Sequence, residues 1–286
     1  MSSPGEYGCG GTRPSVTPFI GITGYQWLLI LAAVQAALLM PDAFVGHYRS
    51  GFTLRAQYVP FVTGTLLVLS AIAAAVAPHT PVVTRIAVIA GSLALASGVV
   101  GAGYHHWYGI VTKPGGYHWL LHHLMHHAPP LAPLALSTAG ALEILAVLGI
   151  SGTVEIWGAS IRVLALTVVG ISLVGAAMQA GLLHYRGAYN NAAMYFPVVV
   201  LPLAAAAIFW NAGASHSATV HMIASSLLWI AFAGGFFGAG MHLRGMDRQM
   251  GGLYMGVAAI LDAPPAGAPL LIAALSASGL IAMELL

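Results

Sequence analysis

Long apolar stretches separated by short polar joints occupy almost the whole chain. Residues 14–41, 56–84, 86–112 and 187–243 contain no Asp, Glu, Lys or Arg. A bilayer crossing takes about 20 apolar residues, and the last of these runs has room for two. The pattern predicts eight helices, over about 20–46, 57–77, 83–107, 129–149, 160–184, 192–211, 217–243 and 265–285. Pro60 and Pro197 fall near the first turn of their helices, where a missing N–H is tolerated. Ala-Pro-His-Thr-Pro at 77–81 separates helices two and three, and the proline clusters at 128–133 and 263–269 open helices four and eight.

The order of polar and small residues repeats. At an offset of 137, Ala43, His47, Tyr48, Arg49, Tyr58, Pro60 and Val62 match Ala180, His184, Tyr185, Arg186, Tyr195, Pro197 and Val199. Gly98, Gly101, Gly103 and His105 match Gly235, Gly238, Gly240 and His242 at the same offset. After a one-residue gap the proline clusters follow in step. Self-similarity of this kind signals a duplicated unit. The expected fold is therefore an all-α integral membrane protein of eight transmembrane helices, arranged as two tandem four-helix repeats. Four crossings return the chain to its starting side, so the repeats are parallel, with a pseudo-twofold axis along the membrane normal. The expected divisions are a polar N-terminal tail at 1–18, a first repeat at 19–150 with a His-rich interfacial segment at 117–127, and a second repeat at 151–286.

Composition strengthens the membrane assignment. The chain is 59% hydrophobic and 6% charged, where soluble domains carry about 25% charged residues. A net charge of +2 with no basic stripe gives no footprint for nucleic acid. Cys9 is the only cysteine, so no intrachain disulfide forms. Residues 1–18 lack the basic and apolar regions of a cleavable leader. The expected setting is a bacterial-type inner membrane, with the lipid bilayer and other protein subunits as partners. Arg49, Arg55, Lys113, Arg186, Arg244 and Arg248 follow odd-numbered helices, against Arg13, Arg85 and Arg162 on the other side. The positive-inside rule then makes the histidine-bearing face cytoplasmic.

Candidate chemistry concentrates in imidazole. His47, His105, His184 and His242 all fall at exits of odd-numbered helices, at one expected depth. Neutral imidazole ligates haem iron, copper or zinc and relays protons. Arg49, Arg186 and Arg244 lie two residues after His47, His184 and His242, where they suit a propionate or orient a quinone. Symmetry suggests His47 with His184, and His105 with His242, as ligand pairs. A second cluster holds His106, His118, His122, His123, His126 and His127. On a helix, His118, His122 and His126 would form one stripe and His123 and His127 another, a metal-binding spacing. Tyr254, Ala258 and Asp262 replace the first stripe in the second half. Glu143 stands within an apolar helix as a candidate proton relay, whereas Glu284 lies near the C-terminus. Met241, Met246, Met250 and Met255 offer soft ligands for copper, though methionine more often fills gaps in apolar packing.

These features suggest a membrane redox subunit binding haem b or quinone through the repeated His/Arg sites. A metal-ion or small-solute transporter, or a non-catalytic anchor subunit of a larger complex, is the alternative.

Overall fold

The computed structural model describes residues 21–213, 217–249, 253–256, 261 and 265–285. The expected 1–18 tail with Cys9, together with His216, Met250, Ala258 and Asp262, lies outside these residues.

Each main helix follows an apolar run. α1 (Gly24–Arg49) starts at a capping box, in which Thr23 Oγ1 accepts from Gln26 N–H and Gln26 Oε1 accepts from Thr23 N–H. α2 (Val59–Val76) and α3 (Pro81–His106) open on proline. α3 runs on through a π-helical turn at Trp107–Val111. α4 (Leu120–His126) is a short helix after a 3-10 turn at Gly116–Trp119. α5 (Leu134–Ile150) precedes α6 (Ile161–Arg186), which Ser160 caps through Val163 N–H. α7 (Tyr195–Gly213), α8 (Ala218–Gln249) and α9 (Gly267–Met283) complete the fold.

Two features depart from the expected plan. A two-residue antiparallel strand pair, Glu155–Ile156 with Ala159–Ser160, joins α5 to α6. Its turn places Trp157 at φ 53° and Gly158 at φ 80°, the left-handed pair that closes a tight hairpin. The helices expected at 129–149 and 265–285 shorten to 17 residues each, α5 and α9. In the first of these, the prolines at 129, 130 and 133 hold the approach in turns and delay the helix to Leu134.

Helix contacts define an inner and an outer layer. α1, α5, α6 and α9 form a closed inner ring, with α1 touching α5 and α9, and α6 touching the same two. α2 and α3 wrap one side and α7 and α8 the other. Hydrogen bonds cross the ring, from Gln35 Nε2 to Ser278 Oγ at 2.9 Å and between Thr138 and Ser172 hydroxyls at 2.7 Å. The outer helices expose large apolar side chains, among them Leu69, Ile89, Leu203 and Phe237. Small residues let backbones close together where lipid gives no hydrophobic drive. A Cβ on Gly140 of α5 would stand 2.4 Å from Gly91 O of α3, so the two backbones touch there.

Six segments are long and apolar enough to cross a bilayer: Gly24–Arg49, Arg55–Val76, Pro81–Val111, Ile161–Arg186, Ala192–Gly213 and Ala218–Arg248. The chain is a helical multi-pass membrane protein whose apolar outer face meets lipid. The inner helices α5 and α9 are each about 26 Å long at 1.5 Å per residue.

Candidate functional site: two imidazole pairs and a buried carboxyl

The last turns of α1, α3 and α6, and α8 about two turns before its end, carry the four matched histidines to one end of the bundle. All four are half-buried. His47 and His105 have ring centroids 6.1 Å apart at 84°, and His184 and His242 have centroids 6.4 Å apart at 77°. The rings therefore meet within each half of the chain. The expected pairing across halves, His47 with His184 and His105 with His242, is replaced by this one. The physical reason lies in the packing: α2 packs on both α1 and α3, and α7 on both α6 and α8, so the helix ends that meet belong to one half.

Backbone carbonyls fix three of the four rings. His105 Nδ1–H donates to Pro129 O at 2.8 Å, His184 Nδ1–H to Met194 O at 2.8 Å, and His242 Nδ1–H to Pro265 O at 2.7 Å. In a neutral imidazole this leaves Nε2 with the lone pair. His47 differs. Gln57 Oε1 accepts from Leu54 N–H at 2.8 Å, which sets the amide's orientation. Gln57 Nε2 then donates to Ser50 Oγ at 2.7 Å and to His47 Nδ1 at 3.2 Å. His47 Nδ1 is an acceptor, so the proton of the neutral ring sits on Nε2. The second pair thus offers two lone pairs, and the first offers one donor and one acceptor.

Aromatic rings seat the pairs. Phe52 lies 6.0 Å from His47 and stacks on Tyr58 at 4.8 Å; Tyr189 lies 6.2 Å from His184 and stacks on Tyr195 at 4.5 Å. Both side chains leave left-handed backbone, Phe52 at φ 48° and Tyr189 at φ 46°. Such strain is held by surrounding contacts, here Phe52 N–H to His47 O at 3.2 Å and Tyr189 N–H to His184 O at 3.1 Å. Gln57, Phe52 and Tyr189 were not among the sequence candidates. The aromatic match of 52 with 189 at the same offset was the available signal.

The arginines are tied to backbone. Arg186 Nε donates to Leu124 O at 2.9 Å, and its Nη2 donates to Leu124 O and to His127 O, the latter at 2.9 Å. Arg49 Nε donates to Leu261 O at 2.5 Å. At the 136-residue offset of this stretch Leu261 matches Met125, next to Leu124, so each arginine reaches the corresponding segment of the opposite half. Arg244 is exposed.

The His-rich segment splits. His122 and His126 stack at 4.4 Å on α4, and His123 and His127 lie 5.4 Å apart. His118 sits in the preceding 3-10 turn and is exposed, so the three-residue stripe does not form. Gly115 at φ 78° starts that turn and delays the helix to Leu120. His123 is buried, with Nε2–H on Pro114 O at 3.1 Å. His106 Nε2 pairs with Tyr117 OH at 2.5 Å. His127 titrates below the ordinary imidazole range, first because of burial and then because of the Lys113 charge and the neighbouring His123, His122 and His126. Among the described residues, no three His, Cys, Asp or Glu side chains converge as a metal site.

Glu143 is fully buried on α5 and accepts Ser70 Oγ–H at 2.6 Å. Glu284 meets His221 at 3.3 Å at the other end of the bundle. Asp42 lies against the start of α9, where a Cβ on Gly267 would come within 2.8 Å of its carboxylate, and an acid there complements the helix dipole. Of the methionines, Met246 is buried and Met255 exposed.

Comparison with family models, with curated proteins and with solved structures finds no match.

Proposed function

We propose that the chain is a membrane redox subunit built from two like-oriented four-helix halves, each crossing the bilayer four times, in which His184 and His242 ligate a haem b iron or a copper ion. Matching contacts support the duplication. Gly98 packs on Pro133 and Ser137 as Gly235 packs on Pro269 and Ala273, and His105 and His242 hold equivalent proline carbonyls. α5 and α9 count as spans in this reading because they belong to the inner ring and are covered by the longer α3 and α8.

The carrying observation is the fixed tautomer of the second pair. Ligating histidines almost always donate their other N–H to a carbonyl, carboxylate or water, and His184 and His242 both do so. His184 and His242, on neighbouring helices, would hold a b-type haem by its iron; the cofactor would supply one-electron chemistry. These residues would hold and orient it, and the apolar bundle would limit water.

A quinone suits the first pair. An apolar groove lined by Met40, Pro41, Phe44, Phe61 and Leu261 runs beside it, with Phe61 6.3 Å from His47. A donor on His47 and an acceptor on His105 match the carbonyl and hydroxyl of a quinone and its reduced form.

Elemental analysis of protein purified from its native membrane tests the ligand assignment. The expected result is iron or copper in stoichiometric amount, lost in His184→Ala and retained in His118→Ala. Zinc alone would favour transport over redox chemistry, and metal-free protein would overturn the reading.

A further inference from the structure

Glu143 occupies the middle of α5, where α2 and α3 cross it. Its Oε1 accepts from Ser70, while Oε2 has no hydrogen-bond partner among the described residues. Gly91 on α3 makes the room: a Cβ there would stand 3.0 Å from Glu143 Oε2 and 2.9 Å from Gly140 O.

The second half builds the corresponding junction without an acid. Glu143 corresponds to Gly279, Ser70 to Ala207 and Gly91 to Leu228, at offsets of 136, 137 and 137. Both Cδ atoms of Leu228 lie 3.1 Å from where a Cβ of Gly279 would be. Large and small have changed places: an acid on α5 lies over a glycine of α3, and a leucine of α8 lies over a glycine of α9. The same packing problem is thus solved by hydrocarbon, so helix association does not require a carboxyl.

The neighbouring hydroxyls follow the same division. Thr63 and Ser97 hydroxyls meet at 2.9 Å and Ser137 Oγ donates to Leu95 O at 2.9 Å. Their counterparts are Val200, Gly234 and Ala273, and the Phe196 ring fills the space at Gly234. Ser70 and then the Thr63–Ser97 pair step along the α2–α3 interface toward the end that holds His47 and His105.

We propose that Glu143 and Ser70 form a proton-binding site in the membrane interior of the first half, with no counterpart in the second. One carboxyl and one hydroxyl fall well short of the six or so oxygens that hold a hard cation, whereas a proton needs a single oxygen. An ionised carboxylate without a counter-charge is costly in such surroundings. α2 carries no charged residue. The charged and titratable groups of the other helices packed on α5 lie in the outer turns: Tyr25 and residues 42–49 on α1, Arg85 and residues 104–106 on α3, and Arg162 and residues 184–186 on α6. The site stands whether or not the imidazole pairs hold a cofactor.

Dicyclohexylcarbodiimide, an apolar reagent that adds to protonated carboxyls, tests the proposal on the full chain in liposomes at pH 7. The expected result is one adduct per chain, mapped by mass spectrometry to Glu143. It should be lost in Glu143→Gln and unchanged in Glu155→Gln and Glu284→Gln. An infrared C=O band of a protonated carboxyl should disappear with the same substitution, which a packing role alone would not produce. Absence of both adduct and band in folded protein would overturn the proposal. Should Glu143→Gln not fold, Ser70→Ala keeps the acid and removes the donor that favours its charged form. Labelling at least as fast as wild type is then expected, and slower labelling contradicts the site.

Discussion

Tautomers decide what the histidines can do. His184 and His242 each spend Nδ1–H on a carbonyl and keep a lone pair on Nε2, whereas Gln57 turns His47 the other way round. The sequence made the four positions legible by their matched spacing. It could not show the tautomers, because these depend on two backbone carbonyls, Met194 O and Pro265 O, and on the side-chain amide of Gln57, all brought in by the fold. Replacing Gln57 by Glu places an acceptor opposite His47 Nδ1 and reverses that ring, so quinone reduction should fall while metal content stays at wild-type level. Quinone-reductase assays and metal analysis on the same sample check it. His127 gives a pH test. Its folded-state value lies below the ordinary 6.5, so the unfolded segment binds more protons. The docking of α4 is then strongest above about pH 6.5 and weakens as pH falls through that value toward the folded-state one. Hydrogen exchange of residues 118–127, corrected for its intrinsic pH dependence, should be faster at pH 5.5 than at pH 7.5; equal protection would count against it.

Between elements, close approach and reciprocal clasps do most of the work. A Cβ at Gly98 would meet Ser137 Oγ at 2.2 Å and Pro133 O at 2.6 Å, and one at Gly235 would meet Pro269 O at 2.6 Å. At Gly103 and Gly240 nothing lies within 4 Å. Alanine at 98 or 235 should cost about 1–3 kcal/mol by overpacking, and alanine at 103 or 240 should be neutral or slightly stabilising, as read by thermal unfolding in detergent. The six glycines look alike in the sequence as a small-residue face; only the crossing of α3 with α5, and of α8 with α9, separates those in contact from those facing open space. Arg186 was legible as half of a His-x-Arg element but not as the clasp on α4, since its acceptors are carbonyls 59 and 62 residues away. Arg186→Ala should remove about 2 kcal/mol from the docking of α4, raising hydrogen exchange in residues 120–126 roughly thirtyfold without changing the core helices.

Across the whole molecule, the proposed duplication pairs equivalent packing with unequal chemistry. Apolar runs and proline positions made the long helices readable, while the shortness of α5 followed from prolines whose turns delay the helix start. The halves then diverge: a carboxyl with hydroxyls in one is answered by Leu228 and Phe196 in the other, and a donor–acceptor imidazole pair by two lone-pair acceptors. In the proposed function the second pair ligates a redox metal and the first does not. Optical absorption of purified protein, with metal content, measured for wild type and for the double variants His184→Ala/His242→Ala and His47→Ala/His105→Ala, tests it most directly. A haem or copper chromophore should vanish in the first double variant and persist in the second. A colourless, metal-free wild type, or a chromophore that survives loss of His184 and His242, would contradict it.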